Sequence, residues 1–339
     1  MRTLITTACI YFVLVMCAHA QLLPSRDRLT IEMIPDFPEA NTPISLSVRS
    51  ISMDLEQAYI EWYVNGELAE KGEGATSASV TLGNLGTKTT ITVEALGEEV
   101  LTATRVISPA EVDIVWEAES YIPPFYKGRS LASSGTRIRA EAFPRLIRPD
   151  GKALQPRDII FTWRRNGDVV LSASGRGKST AILPGPELFG SATISVEAAA
   201  ADSSTAAAAT TFISSTNPFL VLYEQHPLFG GMFHRALKAE TLIPDVEATF
   251  VAIPFFVNAR NPEDSRLTYN WRVNSRSIET DAEDPSRITI NAQNSDGNAR
   301  IDLSLSHATD FTLDARGTWR LLLDARVGGG NSNLFGSPE

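Results

Sequence analysis

The sequence predicts an all-β chain of three tandem antiparallel β-sandwiches that follow a cleaved leader. Three observations carry that prediction. A strand ending in Trp-x-x-Asn occurs at Trp62, Trp163 and Trp271, with spacings of 101 and 108 residues. A second apolar marker follows each Trp: Ile91-Thr92-Val93-Glu94, Ile194-Ser195-Val196-Glu197 and Ile301-Asp302-Leu303, at gaps of 31, 33 and 32 residues from Trp to the second apolar position. Alternation of period two recurs between turn residues, and no sustained helical period competes with it.

The elements follow in chain order. Arg2, the apolar run Leu4 to Met16 and the small residues Ala18 and Ala20 form a signal peptide over 1–20. The apolar run is shorter than the ~20 residues a spanning helix needs, so cleavage is favoured over an anchor. Met16 is bulky where lipid attachment at Cys17 would need a small residue. After a linker at 21–29, Ile44-Leu46-Val48 alternates as a strand with one buried face, and the strand through Trp62 ends at Asn65-Gly66. That dipeptide reads as a two-residue hairpin turn with positive φ. The pattern repeats with Ile138-Ala140-Ala142 and Asn166-Gly167, then with Tyr269 to Val273 and Asn274-Ser275. The Ala-rich stretch 198–209 suggests a helix by propensity, but its register with Glu94 to Thr104 makes it two strands around Asp202-Ser203-Ser204. Prolines at Pro109 and Pro218 mark the joints, so the domains run over 30–108, 109–214 and 215–327, with a flexible tail at 328–339. Linkers this short predict a semi-rigid rod.

These repeats resemble the bacterial immunoglobulin-like and PKD-like domains found in tandem on secreted and cell-surface proteins. The likeness rests on Trp-x-x-Asn-Gly, on Ile-x-Val-Glu-Ala and on the spacing. The chain lacks the inter-sheet cysteine pair of antibody-type domains and the Gly-Asp-Gly run of typical PKD domains. The whole arrangement also resembles exported multidomain proteins of small-genome bacteria, which implies an exported, extracellular, periplasmic or cell-surface location and no catalytic residue.

Composition narrows the function classes. The full chain has net charge −10, and removing the leader takes away Arg2 and both cysteines, so the mature chain is one unit more negative and has no thiol. Disulfides cannot form, and stability comes from apolar cores. Scattered arginines on an acidic chain argue against a phosphate-backbone binder, so nucleic acid is not an expected partner.

Chemistry-bearing motifs are few. Ser174-Gly175-Arg176-Gly177-Lys178-Ser179 ends like a phosphate-binding loop but has Ser172 where the first Gly belongs. His226, His234 and His307 lack metal-ligand spacing, and no Gly-x-Ser-x-Gly elbow exists. Glu279, Asp281, Glu283 and Asp284 lack the alternating spacing of a calcium loop and read as a solvated face. No cofactor is expected, and the reading is of a non-enzymatic chain.

The candidate contact residues sit at the joints. Pro123-Pro124-Phe125-Tyr126 and Pro227-Leu228-Phe229 each set aromatics beside prolines that fix an extended backbone. Packing of one domain on the next is the first reading. A shelf for a cell-envelope protein, peptide or glycan is the alternative. Trp62, Trp163 and Trp271 are read as core, as are Trp116 and Trp319. A non-enzymatic rod for spacing, adhesion or assembly is thus the leading reading, a carbohydrate- or peptide-binding module the second, and a hydrolase with carboxylates spread over loops the third.

Overall fold

The computed structural model describes residues 29–148, 150–243, 247–293 and 295–323. Residues 1–28, on which the expected leader, Cys9, Cys17 and most of the expected linker fall, and residues 324–339, which include the expected tail, lie outside the described residues. Two compact units divide the chain, Met1–Pro109 and Ala110–Glu339.

The first unit is one immunoglobulin-like sandwich. Its strands are β1 (Thr30–Ile34), β2 (Pro43–Arg49), β3 (Tyr59–Val64), β4 (Glu67–Glu73), β5 (Ser77–Thr81), β6 (Thr89–Leu96) and β7 (Val100–Ile107). Sheet β1-β2-β5 faces sheet β4-β3-β6-β7 across a core of Ile31, Met33, Ile44, Leu46, Val48, Ile60, Trp62, Ile91 and Val93. Alternation dictates this, since Ile44, Leu46 and Val48 leave the same face of β2 while Ser45 and Ser47 leave the other. Each such aliphatic side chain taken from water contributes about 1.5–3 kcal/mol.

The second unit holds two sandwiches. One comprises β8 (Glu111–Ala118), β9 (Arg137–Arg145), β10 (Ile159–Arg165), β11 (Asp168–Val169), β12 (Gly175–Arg176), β13 (Thr180–Pro184), β14 (Ser191–Ala200) and β15 (Ala206–Ser214). Its sheets run β13-β9-β8 and β11-β10-β14-β15, with β12 also on β10. The Ala-rich stretch is the β14–β15 hairpin, turned at Ser203 (φ 57°) and held by the Ser204 amide donating to Asp202 Oδ1 at 3.0 Å. Register beats helix propensity here because every second Ala of β14 packs into the core.

The other sandwich comprises β16 (Phe219–His226), β17 (Gly230–Ala236), β18 (Glu240–Leu242), β19 (Glu247–Phe255), β20 (Leu267–Val273), β21 (Arg276–Ile278), β22 (Arg287–Asn291), β23 (Gly297–His307) and β24 (Ala315–Leu323). Its sheets run β17-β16-β19-β22 and β18-β24-β23-β20-β21. The short β18 pairs parallel to β24, a departure from the all-antiparallel expectation.

One bonding pattern recurs in all three sandwiches and explains the sequence signature. Trp62, Trp163 and Trp271 are 1%, 0% and 2% exposed. A buried indole N–H requires an acceptor, and Nε1 donates to the carbonyl of Ala75 (2.8 Å), Lys178 (2.9 Å) and Pro285 (3.0 Å). Each acceptor lies two residues before a strand of the opposite sheet, β5, β13 or β22, so the indole ties the sheets together. The Asn three residues on sits at φ 52°, 52° and 49°. Its Oδ1 accepts the amide of Thr90 (2.9 Å), Thr193 (2.9 Å) or Arg300 (2.8 Å). Its own amide donates back to the carbonyl of the same residue at 2.8 Å in each case. The Asn therefore closes the hairpin and locks it to the neighbouring strand.

Two of the five tryptophans differ in setting. Trp319 is buried in the third core, as its apolar neighbours predict. Trp116 is half-buried and packs against the second core from its margin. It lies on the edge strand β8, with the Arg129 guanidinium 3.9 Å over its ring.

Candidate functional site

The Pro-aromatic segment after β8 is the candidate contact site closest to structure-making chemistry. Pro123 is buried and Pro124 exposed, and the turn closes with the Tyr126 amide donating to the Pro123 carbonyl at 2.9 Å. This turn directs two rings onto the third sandwich. Phe125 meets Phe233 in a stack at 4.5 Å and Tyr223 edge-on at 5.5 Å. Tyr126 meets Phe255 at 5.8 Å and Phe256 at 5.7 Å, both edge-on. Phe219 stacks on Phe255 at 4.8 Å and extends the cluster. Rings in these geometries contribute about 0.5–1.5 kcal/mol per pair beyond their buried area.

Backbone bonds fasten the same junction. The Tyr121 amide donates to the Val257 carbonyl at 2.8 Å, and the Phe256 amide donates to the Tyr121 carbonyl at 2.8 Å. Thr216 donates to Ala132 at 2.7 Å, and Asn258 Nδ2 to the Gly135 carbonyl at 3.0 Å. Gly135 has φ 77°, and a Cβ there would collide with the Asp310 carboxylate, so this close approach requires glycine. The sequence singled out Phe125 and Tyr126, but not Tyr223, Phe233 and Phe255, which lie on β16, β17 and β19, nor Phe256, which follows β19 at φ 61°.

The second Pro-aromatic segment is arranged differently. Pro227, Leu228 and Phe229 form the tip of the β16–β17 hairpin, and Phe229 is 75% exposed. Its ring stacks on His226 at 4.7 Å, and His226 Nδ1 accepts the amides of Leu228 (3.1 Å) and Phe229 (3.3 Å). The structure does not bring this segment together with Phe125 and Tyr126. It is an exposed hairpin tip, so the sequence likeness between the two segments does not extend to their packing.

Beside the aromatic cluster runs a polar cleft of about 990 Å³ lined by Glu119, Arg137, Asn258, Arg260, Asp264 and Arg266, among others. The acidic and basic groups largely satisfy one another. Glu119 pairs with Arg137 at 2.6 Å, and Asp264 with Arg266 at 2.6 Å. The Arg266 guanidinium, helped by the Arg260 and Arg266 amides, holds the Asp264 carboxyl well below the usual carboxylate range. Burial raises the Tyr121 and Tyr269 phenols, and the nearby Glu263 raises both further.

Among the described residues, no group of three or more His, Cys, Asp or Glu side chains could hold a metal ion. Two of the four carboxylates before β22, Asp281 and Asp284, are engaged internally. Asp284 accepts from Ser286 Oγ at 2.8 Å and pairs with Arg287 at 2.6 Å, while Asp281 accepts the Glu283 amide at 2.9 Å. The loop resembling a phosphate cradle supplies the Lys178 carbonyl to Trp163, and its Lys178 Nζ donates to the Ser172 carbonyl at 2.8 Å. It is a structural turn. Among the described residues, no helix is long and apolar enough to cross a membrane.

No family model and no curated protein matches the chain. Solved structures that match include the fibronectin(III)-like modules of Clostridium thermocellum CbhA, at 14% identity and TM-score 0.26, covering 55% of this chain and 94% of that one. The central fibronectin-III array of RIM-binding protein matches at 14% identity and TM-score 0.29, covering 88% and 96%. A Bacteroides ovatus mixed-linkage glucan utilization locus protein, SGBP-B, in complex with a mixed-linkage heptasaccharide, matches at 11% identity and TM-score 0.22, covering 87% and 70%. Likeness at this level carries no argument about function, and the fold assignment rests on the sheets and cores described above.

Proposed function

We propose that this chain is a non-enzymatic, exported rod of three domains, at 30–108, 109–214 and 215–327, that serves spacing, adhesion or assembly at a cell surface. The observation that supports it is the junction after β8. Phe125 and Tyr126, the side chains best suited to a ligand shelf, pack against the third sandwich, where they hold two sandwiches in one unit. A junction of aromatic rings and backbone bonds suits a chain that transmits or presents, since it fixes orientation without leaving a reactive group.

Small-angle scattering of the mature chain tests the extended shape expected from short linkers. A compact globule of this length has a radius of gyration of about 20 Å, and a value that small overturns the rod. The double variant Phe125→Ala/Tyr126→Ala tests the junction. Faster hydrogen exchange at the Tyr121 and Phe256 amides, with β10 and β20 still protected, is the expected result.

One observation favours the alternative of glycan or peptide binding. Phe229 presents an exposed ring, backed by His226, on a protruding hairpin. A glycan-array or peptide-array signal abolished by Phe229→Ala would move the reading to that class.

A further inference from the structure

The three sandwiches share one register around their core Trp, so their outer sheet faces can be compared position by position. The residue after the core Trp is Tyr63, Arg164 and Arg272 in turn. In the second sandwich, Arg164 reaches Glu197 on the adjacent strand at 3.4 Å. In the third, Asp302 lies opposite Arg272 and pairs with Arg300 at 2.8 Å. Both faces neutralise their own carboxylates.

The first sandwich does not. Glu61 on β3 stands directly opposite Glu94 on β6, the position matching Glu197, and Tyr63 takes the place of the arginine. Like charges directly opposite across a ladder are destabilising. Among the described residues, neither carboxylate forms an ion pair, and exposed Lys71, opposite Glu61 on β4, leaves it unpaired. The Tyr63 hydroxyl donates to Glu61 at 2.6 Å. That bond, followed by desolvation and then the field of Glu61 and Glu94, pushes the phenol up to about 12. Residues 29–109 carry 12 acidic against 4 basic side chains, so most of the net charge of −10 belongs to this stretch.

The same face is apolar around its charges. Of the seven exposed large hydrophobic side chains in this sandwich, five lie on sheet β4-β3-β6-β7: Tyr59, Leu68, Leu96, Val100 and Val106. Tyr59, Leu96 and Val100 form one cross-strand row beside the Glu61–Glu94 row. An apolar rim around carboxylates that have no ion pair matches a surface of opposite sign with interleaved apolar groups.

We propose that this face docks a basic segment of another polypeptide, one that alternates Lys or Arg with apolar side chains and inserts its cations between Glu61 and Glu94. Nucleic acids and anionic lipids carry the wrong sign, and a second copy of the face repels the first. The inference gives the assembly reading a partner class. Its test leaves the aromatic junction untouched, so a failure here counts against this face and not against the spacing role.

The probe is a fluorescent synthetic peptide alternating lysine and valine, titrated by anisotropy against the full mature chain at low salt. Binding is expected, with a loss of ~tenfold in Glu61→Gln/Glu94→Gln, the size of one charge-assisted bond. Tyr63→Arg, which installs the cation that the other two sandwiches carry, should abolish binding while the fold melts normally. Glu32→Gln/Glu39→Gln removes the same charge on and just after β1, in the facing sheet, and should bind like the parent. The proposal is overturned by no binding, by equal losses in the two Gln pairs, or by equal binding of a lysine–serine peptide. Self-association that Glu61→Gln/Glu94→Gln strengthens would overturn it in favour of a copy-to-copy interface.

Discussion

Replacing Asn65 by Ala separates the two roles assigned to the hairpin asparagines. The backbone at Asn65 sits at φ 52°, a left-handed conformation that costs an ordinary L-residue about 1–2 kcal/mol and Asn less. Its Oδ1 also accepts the Thr90 amide at 2.9 Å, a bond whose net contribution is about 0.5–1.5 kcal/mol. Ala loses both terms, so Asn65→Ala should destabilise the first sandwich by about 2 kcal/mol. For a domain of this size that lowers Tm by roughly 8–16 °C. Asn65→Gly loses the bond but relieves the backbone, and should cost about 1 kcal/mol or less. Asn65→Asp keeps an acceptor and tolerates the conformation, so it should sit near the parent. The chain has two compact units and need not melt in one step. Exchange-detected mass spectrometry on peptides from β3 and β6 therefore assigns the effect to this sandwich. If Ala proves no worse than Gly, the backbone argument fails; if all three variants match the parent, the turn asparagine has no structural role.

Further predictions use the same internal repeat and the junction. Ser275 occupies the second turn position at φ 68°, where the other two sandwiches have glycine, so Ser275→Gly should raise the urea midpoint of the second unit by the equivalent of about 0.5–1 kcal/mol. Trp163→Ala opens a cavity in a fully buried site and should cost about 3–5 kcal/mol, read from the same melt. Asp264 has its carboxyl pKa lowered by Arg266, so its contribution is present above its unfolded value of about 4 and is lost as pH falls through the folded value. Stability of the second unit measured from neutral pH into acid should therefore fall more steeply in the parent than in Asp264→Asn. An ultraviolet titration should place Tyr63 near 12, and Glu61→Gln should bring it back toward 10, because the hydrogen bond to that carboxylate is the largest cause of the shift.

Legibility from sequence followed the range of the interactions. The strand through Trp62 and the turn at Asn65-Gly66 were readable because alternation and positive φ are local properties. The pairing of each Trp with its later marker was readable because the chain states it three times. The acceptor of each indole N–H was not, since it is a backbone carbonyl with no side-chain signature, at Ala75, Lys178 and Pro285. Trp116 packs on its core as read, but its half-exposure was not legible, because nothing in its neighbours shows that β8 lies at a sheet edge.

By itself, the sequence determined the all-β class, the repeat and the core tryptophans, each of which depends on which face of a strand a residue occupies. Tertiary structure alone decided how the two Pro-aromatic segments part company. Phe125 and Tyr126 find partners on β16, β17 and β19, roughly a hundred residues away, while Phe229 is carried outward on a hairpin. It also decided that Glu61 faces Glu94, because cross-strand register sets which charges meet and no spacing along one strand contains that information.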